Sequence, residues 1–241
     1  MNKYSRSLKN KKSKNHNKYT RKASISYDHK QMSVMSLSGN DNGKFIPEFK
    51  IINGPAYATV IMNLKQDQEV YDQKGAVNYA DSTINVNTKT GGFFKSMFRS
   101  LVTSESMFMT YYKGMRAEPS IISFSSVLPG DMFAVKIKPG KRYLISQNSF
   151  VCATQNVVLS TDLRFKNILE STNMFLTVAS IPVDSKDDGM IWVAAYGGYE
   201  RLNIPAGQSI KVEHGLFCLS DANLDYTIAK MGGLKTFFFI M

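Results

Sequence analysis

The chain is short of the side chains on which most enzymes depend. It has three histidines, two cysteines and one tryptophan in 241 residues. His16 and His29 lie near the N-terminus and His214 stands alone in a turn before Gly215, so no Cys/His set has zinc spacing. Cys152 and Cys218 fall in strand-like runs. They are too few for a disulfide framework and fit a reducing, intracellular setting. No GxxxxGK followed by Ser or Thr is present, and no GxGxxG after a strand. A Ser–His–acid triad would have to use His214, and no serine sits in a nucleophile elbow. Carboxylates are scattered. The Asp184 to Asp188 cluster lacks the full ligand spacing of a calcium loop, and with Gly189 it reads as a solvated hairpin tip. No apolar run of about eighteen residues exists, so no membrane-spanning helix is expected. No apolar core follows the N-terminal charges as in a signal peptide. These absences argue against an enzyme, a catalytic residue, a bound cofactor, a metal centre or an identifiable small-molecule substrate.

What is present in excess is positive charge, and it is concentrated. The net charge is +11. Residues 1–30 hold ten Lys or Arg against a single acid, Asp28, which is +9; the other 211 residues hold twenty against eighteen, which is +2. The basicity therefore belongs to a tail. Residues 1–44 are rich in Lys, Asn and Ser and too poor in apolar residues to fold alone, so a disordered basic tail is expected. Lys9, Lys11, Lys12, Lys14, Lys18, Arg21 and Lys22 are its candidate contacts for nucleic acid or an anionic membrane surface. A mitochondrial targeting role suits it less well, because the tail is Lys/Asn-rich and shows no amphipathic period.

The rest repeats. Ile137 to Thr161, moved forward 67 places, lands on Ile204 to Ile228, pairing Gly140 with Gly207, Phe150 with Phe217 and Asn156 with Asn223. Moved back 73 places, it lands on Leu64 to Thr88. The apolar positions alternate, as half-buried strands require. A second block, Ser104 to Thr110, returns 67 places later as Ser171 to Thr177. The expected fold is all-β: one domain over residues 45–241 of three pseudo-symmetric β-sandwich-like repeats, about 56–112, 128–180 and 190–241. Short helical or looped insertions interrupt them, and the tail precedes them. Gly at 75, 140, 189 and 207 marks the turns.

Gly91 to Leu101 reads as a helix of about three turns, with Phe93, Phe94, Met97, Phe98 and Leu101 on one face. Such an element either closes a β unit, buried in the core or a subunit contact, or lies on a membrane surface; the first is favoured. Cys152 and Cys218 occupy adjacent repeat positions and should face opposite sides of their strands as small buried hydrophobes. Asp81 and Asp221 match between copies, with Thr154 in the third place, and suit a turn that binds local backbone N–H groups.

Two stretches resemble a known family. GGFFKSMFRSLVTSESMFMT at 91–110 resembles its Gly-rich signature, and RLNIPAGQSIKVEHGLFCLSDANLDYTIAKMGGLKTFFF at 201–239 resembles its closing block. The family is the mitochondrial biogenesis, altered-inheritance-of-mitochondria type, also placed in the tryptophan RNA-binding attenuator protein-like (TRAP-like) superfamily. The resemblance covers Phe49 to the C-terminus. It implies three pseudo-symmetric sandwich units, no established catalytic residues, and a mitochondrial location for a eukaryotic member or the cytoplasm for a bacterial one; the Lys/Asn-rich bias separately allows a virion component. The chain departs from the family pattern in its basic tail and in stopping at Phe237-Phe238-Phe239-Ile240-Met241, where one more strand is expected. Loss of that strand would leave an open sheet edge.

These readings converge on a non-enzymatic, self-associating β-repeat protein, a homo-oligomeric scaffold or assembly component. Its contact residues would be Phe93, Phe94, Met97, Phe98, Leu101, Phe237, Phe238 and Phe239. The alternative is a nucleic-acid or anionic-surface binder working through the tail. A small-ligand module with a pocket between repeats is a third class.

Overall fold

The computed structural model describes residues 26–27, 38–39, 44–73, 75–89, 109–162, 164, 176–230 and 237–241. Among these the fold is all-β: twenty strands and no α-helix. The expected Gly91 to Leu101 helix lies outside the described residues.

Each unit reads as two facing sheets. In the first, β4 (Thr59–Leu64), β5 (Glu69–Gln73), β6 (Val77–Ala80), β7 (Asn85–Lys89), β8 (Met109–Lys113) and β9 (Ser120–Ser125) form one set. The second set is β10 (Gly130–Ile137), β11 (Arg142–Ser146), β12 (Phe150–Thr154), β13 (Val158–Thr161), β14 (Leu176–Ser180) and β15 (Gly189–Tyr196). Their pairings coincide. Thr59 faces Ser125 and Leu64 faces Ser120; 73 and 69 places on, Met132 faces Ala194 and Ile137 faces Gly189. Even the bulge recurs: Val77 faces Phe124 and Tyr79 faces Ser123, as Phe150 faces Val193 and Cys152 faces Trp192.

The third set is β16 (Leu202–Asn203), β17 (Lys211–Glu213), β18 (Leu219–Asp221), β19 (Thr227–Lys230) and β20 (Phe237–Ile240). A 3₁₀ turn at His214–Leu216 matches the one at Gln147–Ser149, 67 places earlier. Three equivalent ladders result: β7-β8-β5, β13-β14-β11 and β19-β20-β17. At their centres Tyr111 faces Tyr71 and Asn87, Val178 faces Leu144 and Ser160, and Ile240 faces Lys211 and Thr227.

This register corrects two expectations. The strand thought to be missing is β20, the counterpart of β8 and β14. A constant 67-residue offset misses it because only residues 231–236 separate it from β19, whereas 162–175 separate β13 from β14. The Asp184 to Asp188 segment is no hairpin tip: β14 and β15 lie in different sheets, so it is a crossover. Asn156 holds it by donating through Nδ2 to the carbonyls of Asp187 and Asp188, at 3.5 and 3.1 Å.

Two short strands fall inside the stretch read as tail. β1 (Ser26–Tyr27) pairs with β16, and β2 (Ser38–Gly39) with β3 (Glu48–Ile52). Ser26 and Tyr27 stand opposite Asn203 and Leu202. The equivalents of those two residues in the second unit, Lys136 and Val135, face Met190 and Ile191 of β15. β1 thus lies against β16 as β15 lies against β10, without the second pairing that β15 makes with β12.

Three apolar clusters fill the layers. Trp192 is fully buried in the first, edge-on to Phe49 with centroids 5.2 Å apart; a side chain this enclosed contributes about 2–3 kcal/mol by burial. The second spans Tyr71, Phe133, Phe150 and Ile191. The third packs Phe217 and Tyr226 on Phe239.

Candidate functional site

Sequence reasoning offered two groups of contact residues, and three of them lie among the described residues. Phe93, Phe94, Met97, Phe98 and Leu101, and the tail set Lys9, Lys11, Lys12, Lys14, Lys18, Arg21 and Lys22, lie outside the described residues. Phe237, Phe238 and Phe239 are described, and they differ. Phe239 is 1% exposed, with ring centroids 5.1 Å from Phe217 and 5.7 Å from Tyr226. It is a core residue because β20 is the middle strand of its ladder, paired on both edges. Phe237 and Phe238 are half-buried. Phe237 stands edge-on to His214 at 6.4 Å, and His214 Nδ1 lies 2.6 Å from Glu213 Oε1.

The turn carboxylates act as the repeat pattern suggests. Asp81 Oδ1 accepts from the backbone N–H and hydroxyl of Thr83, both at 2.9 Å, and Asp221 Oδ1 accepts from Asn223 N at 3.0 Å. Thr154 takes the equivalent place, its hydroxyl donating to Asn156 Oδ1 at 2.8 Å. The Thr83 amide holds Asp81 below the usual carboxylate range. Both cysteines are free and lie in different layers, Cys152 in the Trp192 cluster and Cys218 against the Phe150 cluster. Burial pushes both thiols up, Cys218 to about 11, so neither is an activated nucleophile. Among the described residues no group of three His, Cys, Asp or Glu could hold a metal ion.

One interior feature escaped sequence reasoning. Asp72, Cys152 and Trp192 are successive cross-strand neighbours on β5, β12 and β15, and all three are at most 1% exposed. Both Asp72 carboxyl oxygens and Trp192 Nε1 lack a hydrogen-bond partner of good geometry among the described residues. Burial raises Asp72 to about 7. The amides of Val77 and Ala76 and the Tyr112 hydroxyl favour the charged form, but less strongly. The equivalent positions in the other units hold Ile145 and Val212, so an acid stands where the repeat asks for an aliphatic. That overlay was the available signal.

A cleft of about 370 Å³ opens where the second and third units meet, lined by Arg142, Thr161, Asp162, Arg164, Val178 and Ala222. Arg164 donates from Nε at 2.9 Å and Nη2 at 2.6 Å to Asp162 Oδ2, and its guanidinium sits 4.5 Å over the Tyr226 ring. Burial opposes charge on Asp162, but Arg164 outweighs it and holds the carboxyl low. Arg164 and Asp162 thus neutralise each other in the cleft, and Arg142 leaves its lining with one further positive charge.

Several strands stand at the edges of their sheets, β6 and β17 among them. β6 is paired with β9, and β17 with β20; among the described residues neither has a second partner. Tyr79 on β6 is 53% exposed and Lys211 on β17 is exposed.

A family model described as "Mitochondrial biogenesis AIM24" matches residues 49–240. The crystal structure of protein SPYM3_0169 from Streptococcus pyogenes has a similar fold. Its TM-score is 0.61 at 18% identity, and the match covers 80% of this chain and 88% of that one. A comparison with curated proteins found no match.

Proposed function

This chain belongs to the mitochondrial biogenesis AIM24 family, and from that premise we propose that it works by contact: a non-enzymatic, self-associating, TRAP-like β-repeat protein that serves as a structural scaffold or assembly component. The observation that carries this is the way units join inside the chain. Strand β12 of the second unit adds to β5 of the first, and β18 of the third adds to β11 of the second. Edge-to-edge addition is a mode of binding that backbone hydrogen bonds supply with little demand on side-chain chemistry. The homo-oligomer follows from it, since an exposed edge recruits another strand. For location, a mitochondrial setting suits a eukaryotic member, and the cytoplasm or a virion any other. Among the described residues no helix is long and apolar enough to cross a membrane.

A second reading has its own support in the charge of +9 over residues 1–30: the tail holds nucleic acid or an anionic surface. A chain lacking residues 1–24 separates the two. It loses every basic candidate from Lys9 to Lys22 and keeps β1. On the scaffold reading it still sediments above its monomer mass. Should association vanish together with RNA binding, and should that binding in the full chain weaken steeply with salt, the tail reading replaces it.

A further inference from the structure

The two internal joints are one joint used twice. Cys152, Ala153 and Thr154 stand opposite Asp72, Tyr71 and Val70. In the next joint Leu219, Ser220 and Asp221 stand opposite Ile145, Leu144 and Tyr143. From one to the other the arriving strand advances 67 places and the receiving strand 73, the offsets of the repeat itself. The flanking bond repeats too: Gln155 N donates to Glu69 O at 3.0 Å, and Ala222 N to Arg142 O at 3.1 Å.

Each unit therefore both offers an edge and receives one, and the row has two ends. At one end is β6, the counterpart of β12 and β18; at the other is β17, the counterpart of β5 and β11. The same offsets place Tyr79, Ala80 and Asp81 opposite Val212, Lys211 and Ile210. The counterparts of Tyr79 are Cys152, which is fully buried, and Leu219, half-buried, whereas Tyr79 itself is 53% exposed. An aromatic side chain lies open where the internal joints cover an apolar one. At the other end Lys211, which would stand opposite exposed Ala80, is likewise open to solvent.

We propose that copies of this chain join head to tail, β6 of one copy adding antiparallel to β17 of the next in the register of the internal joints. This rests on the self-association reading and gives it a partner, a second copy, and an address. Such a contact is heterologous, so it builds rings or open filaments rather than two-fold dimers.

Disulfide trapping tests it. Directly opposed residues of an antiparallel pair have Cα atoms about 4.5–5.5 Å apart, within the span a disulfide bridges. Full-length chains carrying Ala80→Cys and Lys211→Cys are mixed and oxidised. Both sites are exposed, so folding is not at stake. A disulfide-linked heterodimer in the mixture, with little from either chain alone, is the expected result. An independent variant, Tyr79→Arg, places charge on the edge and should shift the sizing profile toward monomer. If the wild-type chain is oligomeric but the mixture does not cross-link, the address is wrong and the scaffold reading stands. A wild-type chain that stays monomeric overturns both. An Ala80→Cys/Lys211→Cys double variant that closes within a single chain also overturns the proposal, because the two ends then satisfy each other.

Discussion

Asp72 is the residue least at ease in the molecule. Its acid is buried beside Cys152 and Trp192 and raised to about 7, so the folded chain binds its proton where the unfolded chain has released it. The sign follows: this group's contribution to stability is complete below about pH 4, is lost as pH rises toward 7, and changes little above that. Against an unfolded value of about 3.9, the whole effect is on the order of 4 kcal/mol at most. Asp72→Asn should flatten the pH dependence of the urea midpoint between pH 4 and 7 and leave the variant more stable than wild type at pH 8. An unchanged slope would mean that Asp72 is ionised and paired in the folded chain. Alternation in the sequence assigns a side chain to a face but says nothing about its polarity there. Only the overlay on Ile145 and Val212 exposes the anomaly.

At the level of elements, β20 and β1 hold the third unit. Phe239 fills the cluster with Phe217 and Tyr226, so Phe239→Ala should cost about 3–5 kcal/mol in urea denaturation. A loss under about 1 kcal/mol would show that this strand is not the centre of its ladder. β1 and β2 make two truncations differ. Removing residues 1–24 should leave the melting temperature nearly unchanged, whereas removing 1–43 takes both strands and should lower it by several degrees, at about 2–4 °C per kcal/mol for a chain of this size. Equal melting temperatures would mean that neither strand contributes. The strands from β4 to β15 were legible because alternation persists across them and their offsets, 73 places from β4 to β10 and 69 from β9 to β15, stay close. β20 was not, because its connection is shorter and a gap-free overlay passes over it. β1 was not either: two residues held by backbone pairing leave no apolar pattern in a Lys- and Asn-rich stretch.

Among the described residues successive repeats join by strands added to edges, β12 to β5 and β18 to β11, and by the bridges Tyr57–Gly130 and Gly130–Gly197, while the basic charge is set apart at the N-terminus. The fold class and the internal period were readable from sequence, since both follow from where apolar side chains recur. The joints were not, because pairing between units depends on which edges face each other, and hydropathy carries no record of that. Among the interaction residues chosen from aromatic content, Phe239 is a core residue for the same reason: an aromatic run marks a place that must be covered, and there the chain covers it itself. The most direct test of a protein that works through its edges is its mass in solution, measured by light scattering over a concentration series. The account predicts multiples of the 27.0 kDa chain that increase with concentration and fall back in the Tyr79→Arg variant. A constant 27.0 kDa at every concentration would contradict it.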